Sequence, residues 1–199
     1  MATSHEVAPV INIAGERVAL GPMGRDQIPV YHRWLNNFDT LRSQGEPARM
    51  PDTLDSVTRW YESYVLSRND VAWFTIYEQT TKQPVGWTEL KDIDAHHGTA
   101  EFAIMIGEPE ARGKGYGTEV ARLMLEYGFN SLGLLNIHLY YFSFNVAALT
   151  AYTRAGFREY GRRREAHRSG QERWDVVFMD CLAADFRAVE VPDKAPPDL

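Results

Sequence analysis

The sequence predicts an alternating α/β domain. Three observations carry that reading: strand-like apolar runs alternate with amphipathic helix-like runs, glycine and proline punctuate the changes of period, and the chain is long enough to bury one real core. In chain order, residues 16–21 form a first strand. Arg25–Asn37 follows as a helix with Ile28, Tyr31, Trp34 and Leu35 at helical spacing, and Pro29 is tolerated in its first turn. A polar loop, Gln44–Pro51, leads to a second helix over Thr53–Ser67, which places Val57, Trp60, Tyr61 and Tyr64 on one stripe. Strands are expected at 71–78, 84–92 and 98–106, the first two separated by the Lys82-Gln83-Pro84 turn. A third helix, Thr118–Tyr127, carries Val120, Leu123, Met124 and Tyr127 on a buried face. Strands at 134–142, 157–163 and 172–182 complete the sheet around a fourth helix at 145–155. Residues 1–15 read as an extension, 16–184 as the domain, and 185–199 as a tail that frays towards its end.

Composition narrows the class without naming it. Hydrophobic residues make up 44% of the chain and charged residues 24%, which is globular rather than disordered or membrane-like. One cysteine, Cys181, excludes an internal disulfide framework, and its apolar run (Val176–Leu182) suits a buried inert thiol. The formal charge of −6 argues against general nucleic-acid binding and suits a cationic partner. No leader-like or membrane-length apolar run is visible, so a cytoplasmic protein without membrane contact is expected. No metal site is expected.

The most informative stretch is Arg112-Gly113-Lys114-Gly115-Tyr116-Gly117-Thr118. Alternate glycines leave backbone N–H groups open, and a helix follows at once, so its first turn offers unpaired donors and the positive end of the macrodipole. An anion cradle is one reading, and a purely structural glycine turn before a helix is the other. The loop is not a Walker A sequence, and its Gly-x-Gly-x-Gly spacing departs from the dinucleotide fingerprint.

A second motif follows: Asn145, Ala148, Tyr152, Gly156 and Phe157 in the spacing Asn-x-x-Ala-x-x-x-Tyr-x-x-x-Gly-Phe. Together with Arg112, Gly115 and Gly117, which match an Arg/Gln-x-x-Gly-x-Gly/Ala loop, it resembles the GNAT (GCN5-related) N-acetyltransferases. The resemblance runs from about Glu16 to Leu182, most of the chain. Val85–Leu90, Ala100-Glu101-Phe102 and Gly170–Asp175 are similar to the branch holding ribosomal-protein, spermidine and antibiotic acetyltransferases. The resemblance implies a mixed central sheet of six to seven strands, splayed in the middle and flanked by about four helices. It implies acetyl-CoA as the donor. Backbone groups of Ala103, Ile104 and Met105 then face the pantetheine arm, and Arg112, Gly113, Lys114, Gly115, Tyr116, Gly117 and Thr118 hold the pyrophosphate. Asn145 either caps its helix only or also touches the pantetheine arm. Tyr152 stands where the family protonates the departing thiolate, against the alternative that it merely packs with Val146 and Leu149.

The acceptor amine has to lose a proton before or during attack, because a primary ammonium has a pKa near 10. Glu101 and Glu89, on neighbouring expected strands, are the candidate bases. His96 and His97 sit in a polar turn and read as surface residues. A backbone N–H of the splayed strand suffices for the oxyanion. The acceptor region carries Trp34, Trp60, Trp73, Trp87 and Trp174 with the acids Asp52, Asp55, Glu62, Asp92 and Asp175. That set suits a small cationic amine, although most of the tryptophans read as core. Trp34, Trp87, Glu89 and Asp175 are the expected contacts. Arg162-Arg163-Arg164 reads as an exposed strand end or a CoA-phosphate contact. Within the branch the chain most resembles aminoglycoside-type resistance enzymes, in particular kasugamycin 2′-N-acetyltransferases. A protein N-terminus, spermidine, and a non-catalytic acyl-CoA-binding regulator are the alternatives. A homodimer is implied by the resemblance alone.

Overall fold

The computed structural model describes residues 8–44 and 50–190. Eight strands form one sheet: β1 (Ile13–Ala14), β2 (Val18–Pro22), β3 (Ala72–Glu78), β4 (Pro84–Asp94), β5 (Thr99–Ile106), β6 (Asn136–Phe142), β7 (Arg158–Ser169) and β8 (Glu172–Leu182). Their spatial order is β1-β2-β3-β4-β5-β6-β8-β7. All pairs are antiparallel except β5 with β6. The sheet exceeds the expected six to seven strands because β1 lies in the stretch read as an extension.

Six helices flank it: α1 (Ile28–Leu35), α2 (Phe38–Ser43), α3 (Leu54–Trp60), α4 (Tyr116–Glu126), α5 (Val146–Ala155) and α6 (Ala183–Glu190). Three of them start on side chains suited to the task. Asn37, Thr53 and Asn145 each accept a hydrogen bond from the backbone N–H three residues on, at 3.0–3.1 Å. A 3-10 turn, Arg25–Gln27, replaces the expected first turn of α1, and Pro29 then falls in the opening turn of the helix proper. Helix α2 is additional to the sequence reading, and α6 occupies part of the expected tail. The centre of the Gln44–Pro51 loop and the end of the tail lie outside the described residues.

Strand alternation divides the interior into two cores. On one face, Leu20, Ile76, Leu90, Phe102, Ile137 and Met179 meet Val120, Met124, Leu125 and Phe129 of α4 and the turn that follows it. On the other, Met105 meets Tyr31 and Trp34 of α1 and Val57 of α3, with Trp60, Trp73 and Trp87 packed against them. Trp87 and Glu89 of β4 project to this second face, as do their cross-strand partners Met105 and Ala103.

The feature that positions the site is the end of the β5–β6 pairing. These parallel strands are in register only at Thr99↔Asn136, Ala100↔Ile137 and Glu101↔His138. Both continue, to Ile106 and Phe142, without pairing further. The sheet therefore opens in its middle, and backbone groups along the gap need another partner.

Candidate active site

The glycine loop enters α4 through two left-handed residues, Gly113 at φ 73° and Gly115 at φ 83°. An L side chain is strained at both positions, which explains the glycines. The backbone amides of Gly113, Lys114, Gly115, Tyr116, Gly117 and Thr118 donate to no acceptor among the described residues. The loop is tied down from outside instead. Tyr116 is buried with its hydroxyl donating to Glu78 at 2.5 Å, and Arg17 Nη1 donates to the Lys114 carbonyl at 3.3 Å. Glu119 in turn accepts from the Arg17 N–H at 2.9 Å. A row of open donors at the start of a helix fits a pyrophosphate. The Arg112 side chain is turned elsewhere: its Nη2 donates to Thr40 of α2 at 2.6 Å and to the Ile106 carbonyl at 3.3 Å. Its own backbone N–H donates to the Pro109 carbonyl at 3.1 Å, so the open donors begin at Gly113 and not at Arg112.

Past the loop, the gap between β5 and β6 holds a cavity of ≈ 90 Å³ lined by Glu101, Phe102, Ala103, Ile104, Asn145 and Tyr152, among others. Asn145 caps α5 through its Oδ1 and lines this cavity as well, so the two readings of it are compatible. Tyr152 packs against Phe102, Tyr141 and Phe157, with ring centroids 6.0–6.2 Å away. Val146 and Leu149, the packing partners expected from the sequence, are exposed. Burial raises the Tyr152 hydroxyl above the ordinary tyrosine range, so it holds its proton.

The two candidate carboxylates have different surroundings. Glu101 meets Lys91 Nζ at 2.9 Å and His138 Nε2 at 3.9 Å. Glu89 is 8% exposed, and its Oε2 has no hydrogen-bond partner. Burial pushes its carboxyl from 4.5 up to about 7, partly offset by Lys91. Glu89 sits in the wall of a second cavity, of ≈ 260 Å³, between β3–β5 and the α1–α3 layer. Its other walls include Asp52, Trp60, Tyr64, Trp73 and Trp87. Ala103 and Ile104 line both cavities. The β5 strand thus separates an aromatic, carboxylate-bearing chamber from the gap that continues the glycine loop.

Two expected acceptor contacts lie elsewhere. Trp34 is a core residue, 1% exposed, with its Nε1 donating to Glu108 at 2.8 Å. Its ring packs so closely on Gly107 that a Cβ there would come within 2.2 Å. Asp175 works in the β7–β8 ribbon, where its Oδ1 accepts from the Glu165 N–H at 3.0 Å and its N–H donates to Ser143 Oγ at 3.0 Å. Trp60, Trp73 and Asp52, carried by the acceptor region but not among the contacts expected from the sequence, line this chamber, as does Tyr64 of the second helix stripe. Trp73 stands opposite Glu89 because of an irregularity between Ile76 and Tyr77; the register of the Lys82–Pro84 turn alone would set it against Thr88. His97 pairs with Asp94 on the surface, as expected of that turn, and Arg162 pairs with Glu159 on the exposed β7. Among the described residues there is no cluster of metal ligands, and no helix is long and apolar enough to cross a membrane.

Residues 17–158 match the acetyltransferase (GNAT) domain family. The spermidine N(1)-acetyltransferase of Vibrio cholerae is 36% identical over 170 residues, 85% of this chain and 95% of that protein. The alpha/beta-tubulin-N-acetyltransferase 9 of Drosophila melanogaster is 35% identical over 128 residues, 58% of this chain and 61% of the relative's own length. The crystal structure of the Vibrio cholerae spermidine N-acetyltransferase in complex with CoA and spermine superposes with a TM-score of 0.78 at 26% identity, covering 87% of this chain and 99% of that one. The splayed sheet, the open amides ahead of α4 and these matches agree: the chain belongs to the GNAT acetyltransferases and is an acetyl-CoA-dependent N-acetyltransferase.

Proposed function

We propose that the chain acetylates a primary amine of a compact cationic small molecule, with Glu89 as the general base. The observation that carries this reading is the buried, unpartnered carboxylate of Glu89, held near neutrality in an aromatic chamber that shares Ala103 and Ile104 with the gap in the sheet. Acetyl-CoA, when bound, supplies the thioester carbonyl that the amine attacks. The open amides from Gly113 to Thr118 hold its pyrophosphate, and the unpaired edge of β5 orients the arm. An incoming ammonium is drawn to Glu89 and to the faces of Trp60, Trp73 and Trp87. Glu89 removes its proton, directly or through one water, and exposes the nitrogen lone pair. Tyr152, kept protonated by burial, holds the proton that the leaving sulfur needs.

Glu101 is the weaker base candidate because Lys91 already occupies it. It serves better to fix Lys91, whose charge lies on the same strand face as Glu89. Spermidine, on which the bacterial relatives act by name, and kasugamycin with other amino sugars all present a primary amine on a small polar body. A protein N-terminus requires a groove open along its length, whereas this chamber is bounded by α1, α3 and four aromatic side chains. The test is CoA release from acetyl-CoA across spermidine, kasugamycin, other aminoglycosides and N-terminal peptides. Release with compact amines is expected; release with peptides alone would overturn the reading.

A further inference from the structure

The side chain that opens the glycine loop reaches away from it. Arg112 Nη2 donates to Thr40 Oγ1 at 2.6 Å, and Nη2 and Nε both reach the Ile106 carbonyl, at 3.3 and 3.4 Å. One guanidinium thus joins three elements: the loop ahead of α4, the last residue of β5, and α2. Its planar fork is suited to holding two acceptors at once, as a single ammonium is not.

Of the three, α2 depends most on the contact. It has six residues, too few to hold a helix through its own hydrogen bonds. Two adjacent residues of it are buried: Thr40, 0% exposed, and Leu41, 3% exposed. Thr40 is the one that meets Arg112. Leu41 lines the acceptor chamber, together with Gln44 at the end of the helix. Gln44 also lines the gap between β5 and β6, so it stands with Ala103 and Ile104 where the two cavities meet. Thr40 precedes Gln44 by about one helical turn, so whatever fixes Thr40 fixes this stretch of the chamber wall. A hydrogen bond from a guanidinium is charge-assisted and among the stronger side-chain contacts, and its loss takes a charged donor from a fully buried hydroxyl. We infer that Arg112 is a positioning residue for the acceptor: from the head of the donor loop its guanidinium holds α2, and through α2 it sets Leu41 and Gln44 in the chamber wall. The open amides of Gly113 to Thr118 bind the pyrophosphate without it. This inference rests on the proposed reading of the chamber as the acceptor site.

The loop motif and the geometry make opposite predictions for Arg112→Met. If the side chain served the pyrophosphate, CoA affinity would fall. The geometry instead leaves Kd for CoA, measured by calorimetry without amine, within about threefold of wild type, because an exposed charge with no direct contact is screened. KM for the amine, measured at saturating acetyl-CoA with whichever of the compact amines named above the wild type turns over fastest, should rise about 10-fold. Thr40→Val should reproduce that rise, and Thr40→Ser, which keeps the hydroxyl, should largely restore the wild-type KM. The double variant Arg112→Met/Thr40→Val should be little worse than either single one, as expected of two ends of one contact. A Kd for CoA that rises as much as the amine KM, an amine KM that stays put, or additive effects in the double variant would each overturn the inference while leaving the chamber reading intact. Absence of CoA release from the wild type with every one of those amines overturns both.

Discussion

Replacing Glu89 by Gln is expected to abolish turnover and stabilise the fold, a combination that a merely structural carboxylate does not produce. The carboxyl titrates at 4.5 ordinarily and at about 7 in its buried place. At about 1.4 kcal/mol for each tenfold, this displacement corresponds to about 3 kcal/mol. The sign follows from proton binding. Below pH 4.5 the group is protonated in both folded and unfolded chains and contributes nothing. Between 4.5 and about 7 the unfolded chain releases the proton while the folded chain keeps it, so stability falls as pH rises and levels off above 7. Glu89→Gln removes that cost. Its melting temperature should match the wild type near pH 4.5 and exceed it at pH 8, by roughly 6–12 °C for about 3 kcal/mol in a chain of this size. In the same variant, CoA release followed with a thiol reagent should fall by roughly 10² to 10⁴. The wild-type kcat/KM should rise with pH through an apparent pKa near 7. A Glu89→Gln enzyme that turns over within a few-fold of wild type, or that melts no higher at pH 8, would refute the reasoning.

Three further expectations follow from neighbouring residues. Tyr152→Phe keeps the packing against Phe102, Tyr141 and Phe157 and should lower kcat by about 10-fold or more with little change in KM for acetyl-CoA; unchanged kcat removes Tyr152 from the mechanism. Lys91→Met withdraws the cation that favours ionised Glu89 and frees Glu101, whose charge opposes it. Both effects act in one direction, so the acidic limb of kcat/KM should move up by roughly one pH unit, read from a pH–rate profile. Gly115→Ala places a Cβ at φ 83° and within 2.6 Å of Arg17 Nη1. The arginine tip swings aside, but the left-handed backbone costs about 1–2 kcal/mol, and KM for acetyl-CoA should rise about 10-fold while a compact amine's KM stays put.

The sequence revealed the frame of this molecule more readily than its acceptor chamber. The glycine loop and the Asn145–Phe157 signature are contiguous motifs whose chemistry is local, and both lie where expected on α4 and α5. Helix α2, with six residues, is too short for periodicity to reveal. Trp34 and Trp60 both belong to apolar helical stripes, yet one faces the core and the other the chamber, which depends on how α1 and α3 pack against the sheet. Asp175 lies on the expected strand, but an irregularity between Arg163 and His167 directs its carboxylate to a backbone N–H. The ranking of the two glutamates rests on a register detail of the same kind. The turn at Asp94–Gly98 pairs β4 with β5, but an irregularity between Lys91 and Asp94 is what sets Lys91 against Glu101 and leaves Glu89 facing Ala103, which has no charge.

That last pairing also explains why one hairpin serves both halves of the reaction. Acetyl transfer needs an amine deprotonated on one side of a reacting carbon and a thiolate leaving on the other. Residues at one level of β4 and β5 are fixed relative to each other by the sheet ladder, whereas residues on the α1–α3 layer are held by side-chain packing and side-chain hydrogen bonds such as Tyr31–Thr75 and Arg112–Thr40. Glu89 lies at the level of Ala103, on the strand whose far edge is left open once the pairing with β6 ends at Glu101↔His138. The base and the donor edge therefore share one rigid hairpin, and their relative placement survives changes in the acceptor walls. Substitutions at Trp60, Tyr64 or Asp52 should accordingly change which amine is accepted while leaving the pH limb set by Glu89 where it is. A separate acceptor layer over a fixed catalytic hairpin is the arrangement that lets related chains, similar in their donor machinery, differ in the amines they take.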